Sequence, residues 1–145
     1  MSFQNNQKQK SVFLILILGC ILIFTVYLAS PANSPFRSEI NSPEDAADFL
    51  NELGWEPDRT QIEATESVLP DDFDQILINY NDLQKQQDCD LTLFSGKEIT
   101  VYTIPITNYG NNDQNVYATL IVHNKKVIGG DIHSAKMDGF MHTLT

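Results

Sequence analysis

Hydrophobic and polar positions divide the chain into stretches of different period. Val12–Leu28 (VFLILILGCILIFTVYL) is apolar on every face, and the run without a charge extends from Ser11 to Ser30. About twenty helical residues rising ~1.5 Å each span roughly 30 Å, the thickness of a bilayer's hydrocarbon core. This predicts one membrane-spanning helix over residues 11–30. Further along, Ala46, Phe49, Leu50 and Leu53 recur at helical spacing. Ser42 is a capping residue, Pro43 suits the first turn, Glu44 and Asp45 complement the helix dipole, and Gly54 is the expected stop. Trp55 is expected to pack beneath this helix rather than to stand out as a stacking platform for a ligand.

Gln61–Leu69 alternates, with Ile62, Ala64, Glu66 and Val68 on one face, which predicts an edge strand ended by Pro70. Asp71, Asp72 and Asp74 open a second helix with an apolar stripe of Phe73, Ile76, Leu77, Tyr80 and Leu83, running to about Gln87. Leu91, Leu93 and Phe94 fall in a loop closed by Ser95-Gly96-Lys97. Three strands follow: Glu98–Asn108, Gln114–His123 and Val127–Ser134, joined by Tyr109–Asp113 and by a tight turn at Asn124-Lys125-Lys126. Pro105 lacks a ladder donor and belongs at an edge or a bulge. Gly129-Gly130 points to a bulge or a close backbone approach, because no helix follows to make a phosphate loop. In the tail, Gly139 turns the chain so that Phe140 and Met141 reach the core.

Helix, strand, helix and then meandering strands predict an α+β fold of two layers, an antiparallel sheet of about four strands with two helices on one face. Residues 1–10 read as a cytoplasmic stub, 11–30 as a transmembrane signal anchor, 31–41 as a Pro/Ser/Asn-rich tether and 42–145 as one extracytoplasmic domain. Lys8 and Lys10 precede the apolar run without a neighbouring acid, so the positive-inside rule keeps the N-terminus cytoplasmic and sends the rest of the chain across the cell membrane as a single-pass protein. Two other fates of the segment stay open. It is long for a cleaved signal, and Pro31 interrupts the small residues Ala29, Ser30 and Ala32. Gly19-Cys20 has the small residue that lipid modification of Cys20 needs, but Ile21–Leu28 would then remain as an apolar run beyond the lipid.

Charge narrows the partners. Beyond residue 30 there are seven basic and nineteen acidic residues, a net charge of −12. That argues against nucleic acid and anionic membrane surfaces, both of which need clustered cations, and permits basic peptides, cations or a cationic partner surface. With Cys20 in the apolar run and Cys89 outside it, no internal disulfide is expected; Cys89 reads as a lone, partly buried thiol, with pairing between chains as the alternative. No Asn-x-Ser/Thr acceptor is present, which fits a bacterial cell-surface protein.

Candidate chemistry is sparse. His123, His133 and His142 are the only histidines. A hairpin at Asn124–Lys126 places His123 at the turn and His133 several residue pairs away, well over ~15 Å at about 3.3 Å per residue, so those two share no metal. Asp131 and His133 share a sheet face, and a tail that folds back would add Asp138 and His142. These four are the only constellation with acid–base or ligand chemistry. Asp71, Asp72 and Asp74 lack the glycine and the terminal glutamate of a calcium loop. No nucleophile elbow, Walker loop, dinucleotide fingerprint or zinc-protease pattern occurs, and no cofactor or metal is implied.

Several stretches carry a resemblance: Phe49-Leu50-Asn51-Glu52-Leu53-Gly54-Trp55, Tyr80-Asn81-Asp82-Leu83-Gln84-Lys85, Tyr117-Ala118-Thr119-Leu120, Lys126-Val127-Ile128-Gly129-Gly130-Asp131 and Asp138-Gly139-Phe140-Met141-His142. From about residue 45 to the end the chain resembles a domain-of-unknown-function family, numbered 4830, of Clostridia-type Gram-positive bacteria. The last two stretches are the more specific. The resemblance implies a fold unit of this size behind one hydrophobic segment in a bacterial envelope. It carries no activity, so no catalytic residue follows from it. Asn111, Asn112 and Asp113 occupy a loop expected to vary, and Cys89 departs from the family pattern.

Together these readings predict a non-catalytic, membrane-anchored domain that binds a protein or peptide in an envelope process. The edge near Pro105 or the strand Val127–Ser134 would accept a partner strand. The alternative is a small enzyme or metal binder using Asp131, His133, Asp138 and His142. A plain spacer without a ligand is a third possibility.

Overall fold

A computed structural model describes residue 36 and residues 38–110 and 115–145. The expected stub, anchor and most of the tether lie outside the described residues, as does Cys20. Among the described residues no helix is long and apolar enough to cross a membrane.

Helix α1 (Pro43–Glu52) forms where its caps predict. Ser42 Oγ accepts from Asp45 N at 3.1 Å, and Asp45 Oδ2 accepts from Asn41 N at 2.8 Å. Gly54 takes a φ of 92°, which lets Trp55 N reach back to Leu50 O at 3.0 Å and close the helix end. Strand β1 (Glu63–Val68) follows, then helix α2 (Gln75–Lys85), whose cap is Asp74, with its carboxylate accepting from Leu77 N at 2.8 Å. Asp71 and Asp72 lie ahead of that helix. The segment expected as a loop is a 3-10 turn, Leu91–Phe94.

Strands β2 (Glu98–Pro105), β3 (Val116–His123), β4 (Lys126–Ser134) and β5 (Met141–His142) complete the molecule. Among the described residues the sheet has five strands rather than four, in the order β1-β2-β3-β4-β5, all antiparallel. The extra strand comes from the tail: Gly139 N bonds to Lys136 O, and the turned chain pairs Met141 and His142 with His133 and Ile132. The β3–β4 turn holds Asn124 and Lys125 at φ of 45° and 66°, the left-handed geometry that suits a two-residue hairpin.

The two helices do not share a face. Tyr102, Ile104, Ala118, Leu120, Val122 and Ile132 project to one side, where Ala46, Phe49 and Leu50 of α1 cover them. Ile99, Ile121 and Ile128 project to the other, against Leu91 of the 3-10 turn and Phe73 and Tyr80 from the α2 region. The expectation of both helices on one face fails because β2, β3 and β4 are apolar on alternate residues of both phases, and each phase needs a cover.

Helix α2 also departs from its expected stripe. Ile76 is 79% exposed, while the fully buried side chains are Asn81 and Gln84. Both amides replace missing backbone partners. Asn81 Oδ1 accepts from Leu91 N at 2.7 Å, and Gln84 Oε1 accepts from Gly130 N at 2.8 Å. Gln87 Nε2 donates to Gly130 O at 2.7 Å, and Gln87 Oε1 accepts from Leu144 N at 3.0 Å. The outer edge of β4 is thus satisfied by side-chain amides. Leu144 is fully buried, and its carbonyl accepts from Trp55 Nε1 at 2.8 Å. It takes the core position expected of Met141, which is 50% exposed.

Gly129-Gly130 serves both purposes read from the sequence. The register shifts between Ile121 and Val122, leaving Ile128 as the bulged residue. A Cβ at Gly129 would lie 2.9 Å from Gln84 Oε1, and one at Gly130 would run into the backbone carbonyl of Thr119.

Candidate functional site

Of the four residues expected to converge, two do. Asp131 and His133 lie two apart on β4 and therefore on one face. His133 Nδ1 meets Asp131 Oδ1 at 2.7 Å; a carboxylate accepts, so Nδ1–H donates. Tyr80 OH donates to Asp131 Oδ2 at 2.7 Å from α2. Asp131 is only 2% exposed, and these two donors hold its buried carboxylate in place. Burial, and then the Asp131 carboxylate, push the Tyr80 hydroxyl far above the usual phenol range, so it stays a donor. His133 is half-buried and stacks on Tyr117 at 5.9 Å. Tyr80 was not among the candidate site residues, although its place on the predicted apolar stripe was legible. The sequence gives no sign of which strand residue a helix tyrosine will reach.

His142 goes elsewhere. It pairs with Ile132, whereas His133 pairs with Met141, so the two histidines project from opposite faces of the sheet. His142 Nδ1 meets Thr143 O at 2.7 Å, which fixes the proton there and leaves Nε2 to accept from Tyr109 OH at 3.2 Å. The ring belongs to an aromatic stack with Trp55, Tyr109 and Phe140; Tyr109 and Phe140 lie 4.6 Å apart. Asp138 is exposed in the Gly139 turn and joins neither histidine. His123 Nδ1 donates to Glu98 O at 2.7 Å, beside the hairpin turn as expected. Among the described residues no group of three or more His, Cys, Asp and Glu could hold a metal ion. Cys89 is fully buried rather than partly so, and burial with the nearby Asp88 raises its thiol to about 12. Pairing between chains would require the domain to open there.

The edges expected to take a partner strand are occupied. Pro105 O accepts from Asp58 N at 2.8 Å, and Thr107 N donates to Glu56 O at 2.8 Å, so Glu56–Asp58 covers that end of β2. The missing donor of Pro105 falls at this irregular stretch. On β4, Glu39 bridges to Lys126, the glutamine amides meet Gly130, and β5 pairs with Ile132 and His133.

The open edge is that of β1. All six of its residues are exposed, and among the described residues no strand pairs with its outer side. Leu69 N donates to Lys97 O at 3.0 Å. The antiparallel alternation from that pair turns Ser67, Thr65 and Glu63 toward β2 and leaves the N–H and C=O groups of Ala64, Glu66 and Val68 facing outward. Beside this edge runs a groove of about 740 Å³ lined by Ala64, Glu66, Val68, Glu98, Tyr102 and Lys125, among others, with the start of α1 as one wall. A free ladder and a groove beside it are the two elements that strand addition requires.

The fold and this edge define a small mixed α/β domain built on an antiparallel meander with a six-residue open edge at its first strand and a strand of only two residues at its last. The chain belongs to the family described as "Domain of unknown function (DUF4830)", whose pattern matches residues 49–132, more than half of the chain. The matched span takes in β1, Tyr80 and Asp131 and ends before His133. No curated protein and no solved structure matches the chain.

Proposed function

We propose that this protein is a non-catalytic, membrane-tethered extracytoplasmic domain that binds an extended segment of a partner protein by strand addition to β1. The observation that carries the reading is the unpaired outer edge at Ala64, Glu66 and Val68, lying beside a groove while the opposite edge is filled. The tether rests on the uncharged run from Ser11 to Ser30 and on Lys8 and Lys10 ahead of it. Amide hydrogen exchange of the full chain in detergent, with an extended basic peptide added, tests the edge. Protection is expected at Ala64, Glu66 and Val68 and not at β4; no protection at these three amides sinks the reading. Protease added to intact spheroplasts tests the placement. Digestion of residues 31–145 is expected, and digestion only after lysis overturns it.

One observation favours a second reading. Asp131 orients His133 with its proton on Nδ1 when neutral, and among the described residues Nε2 has no hydrogen-bond partner and remains as a proton acceptor. The expected sign of such an activity is turnover of chromogenic esters lost in His133→Ala and kept in His142→Ala. Absence of turnover removes this reading.

A further inference from the structure

The β1 edge carries a pattern as well as a ladder, and this inference rests on the strand-addition reading above. Ala64, Glu66 and Val68 project to the groove side of the sheet, in line with Tyr102, Thr100 and Glu98 of β2. A strand laid on the outer edge of β1 places every second side chain directly opposite Ala64, Glu66 and Val68, at about 4.5–5.5 Å between Cβ atoms. The central one of these meets the Glu66 carboxylate, on a face that also presents Glu98 to the same groove. Both carboxylates are exposed, and among the described residues neither is in an ion pair. The flanking positions meet a methyl group and Val68, an aliphatic side chain 57% exposed.

We infer that the groove selects a five-residue core reading small or aliphatic, any, Lys or Arg, any, small or aliphatic. The pattern is the same read in either direction, so it holds for parallel and antiparallel addition. Lys125 stands on the far wall by the hairpin turn and disfavours a second basic residue there. Charged side chains also occur on edge strands simply to prevent aggregation. That role is to keep other strands off the edge, and it predicts that no peptide pairs with β1.

The experiment is fluorescence polarisation of the full chain in detergent with peptides whose core is Val-Thr-Lys-Thr-Val, Val-Thr-Gln-Thr-Val or Val-Thr-Glu-Thr-Val. The expected order is Lys, then Gln, then Glu. Affinity should differ roughly tenfold between the ends of the series, since reversal turns one exposed attraction into a repulsion of similar size. The difference should shrink with added salt, and the order should invert in Glu66→Lys. Glu66→Pro removes one outward-facing N–H together with the carboxylate, leaves the bonds to β2 in place, and should abolish all binding. A peptide N-methylated on its ladder amides gives the same readout without altering the protein. Equal binding of all three peptides that is lost with Glu66→Pro or N-methylation overturns the selectivity and leaves strand addition standing. No binding at all, or binding indifferent to both changes, overturns both.

Discussion

Buried polar side chains here are matched to the groups they satisfy. Asp131 has Tyr80 and His133, Asn81 has Leu91 N and Asp90, and Gln87 spans Gly130 O and Leu144 N. Gln84 is the exception: its Oε1 is shared by Gly130 N and Gln87, while its buried Nε2 is left without a partner. An orphaned buried donor costs ~1–3 kcal/mol. Gln84→Leu removes it but strands Gly130 N without its acceptor, so a lower urea midpoint is expected, whereas Gln84→Glu keeps an oxygen facing Gly130 N and exchanges the orphan for a buried charge. Cys89 has the opposite character, a reactive group made inert. With a thiol raised to about 12, only about one molecule in 10⁴ carries the thiolate at pH 8. In a Cys20→Ser background, alkylation by iodoacetamide is expected to be negligible over hours in buffer and rapid in urea. Fast labelling of the folded protein would contradict the burial.

At the scale of elements, the β3–β4 hairpin is tightly constrained at Gly130. Gly130→Ala sets a Cβ against the Thr119 carbonyl and 2.9 Å from Leu144 Cδ1, and backbone cannot step aside. The expected loss is about 1–3 kcal/mol or more, read as a lower urea midpoint. Gly110→Ala meets nothing within 4 Å and should leave the midpoint close to that of the wild type. Strands β1 to β4 and helix α1 were legible because local signals set them: Ser42 and Gly54 bound the helix, and Pro70, Asn124 and Gly129 punctuate the strands. Helix α2 was only half legible. Its limits follow from Asp74, but its buried side is made of Asn81 and Gln84, whose burial depends on backbone groups dozens of residues away. Periodicity reports apolar stripes and cannot see an amide recruited to a sheet edge. The same limit applies to the candidate site. Asp131 and His133 were readable from the two-residue period of one strand. The separation of His142 required the β4–β5 register, which no local pattern encodes.

For the molecule as a whole, charge decides the response to pH. The Asn41 backbone N–H lowers the Asp45 carboxyl, the Thr60 hydroxyl lowers Asp58, and the Thr92 hydroxyl lowers Asp90. A carboxyl whose folded pKa lies below its unfolded value stabilises the protein at neutral pH, and that contribution is lost as pH falls through the folded value, on the acid side of the ordinary aspartate range. Relief of repulsion on approach to the isoelectric point of 4.4 acts the other way. The urea midpoint should therefore pass through a maximum in mild acid and then drop; a rise continuing to pH 3 would contradict these capping bonds. The two edges of the sheet carry a final consequence. In the terms of polymer chemistry the described domain is monofunctional: β1 offers one reactive end, while at the other the glutamine amides occupy β4 and the two-residue β5 is too short to pair with a further strand. Two copies can join edge to edge, but such a pair has no end left to extend, so association along the sheet would stop at the dimer and would compete with the proposed partner segment for the same ladder.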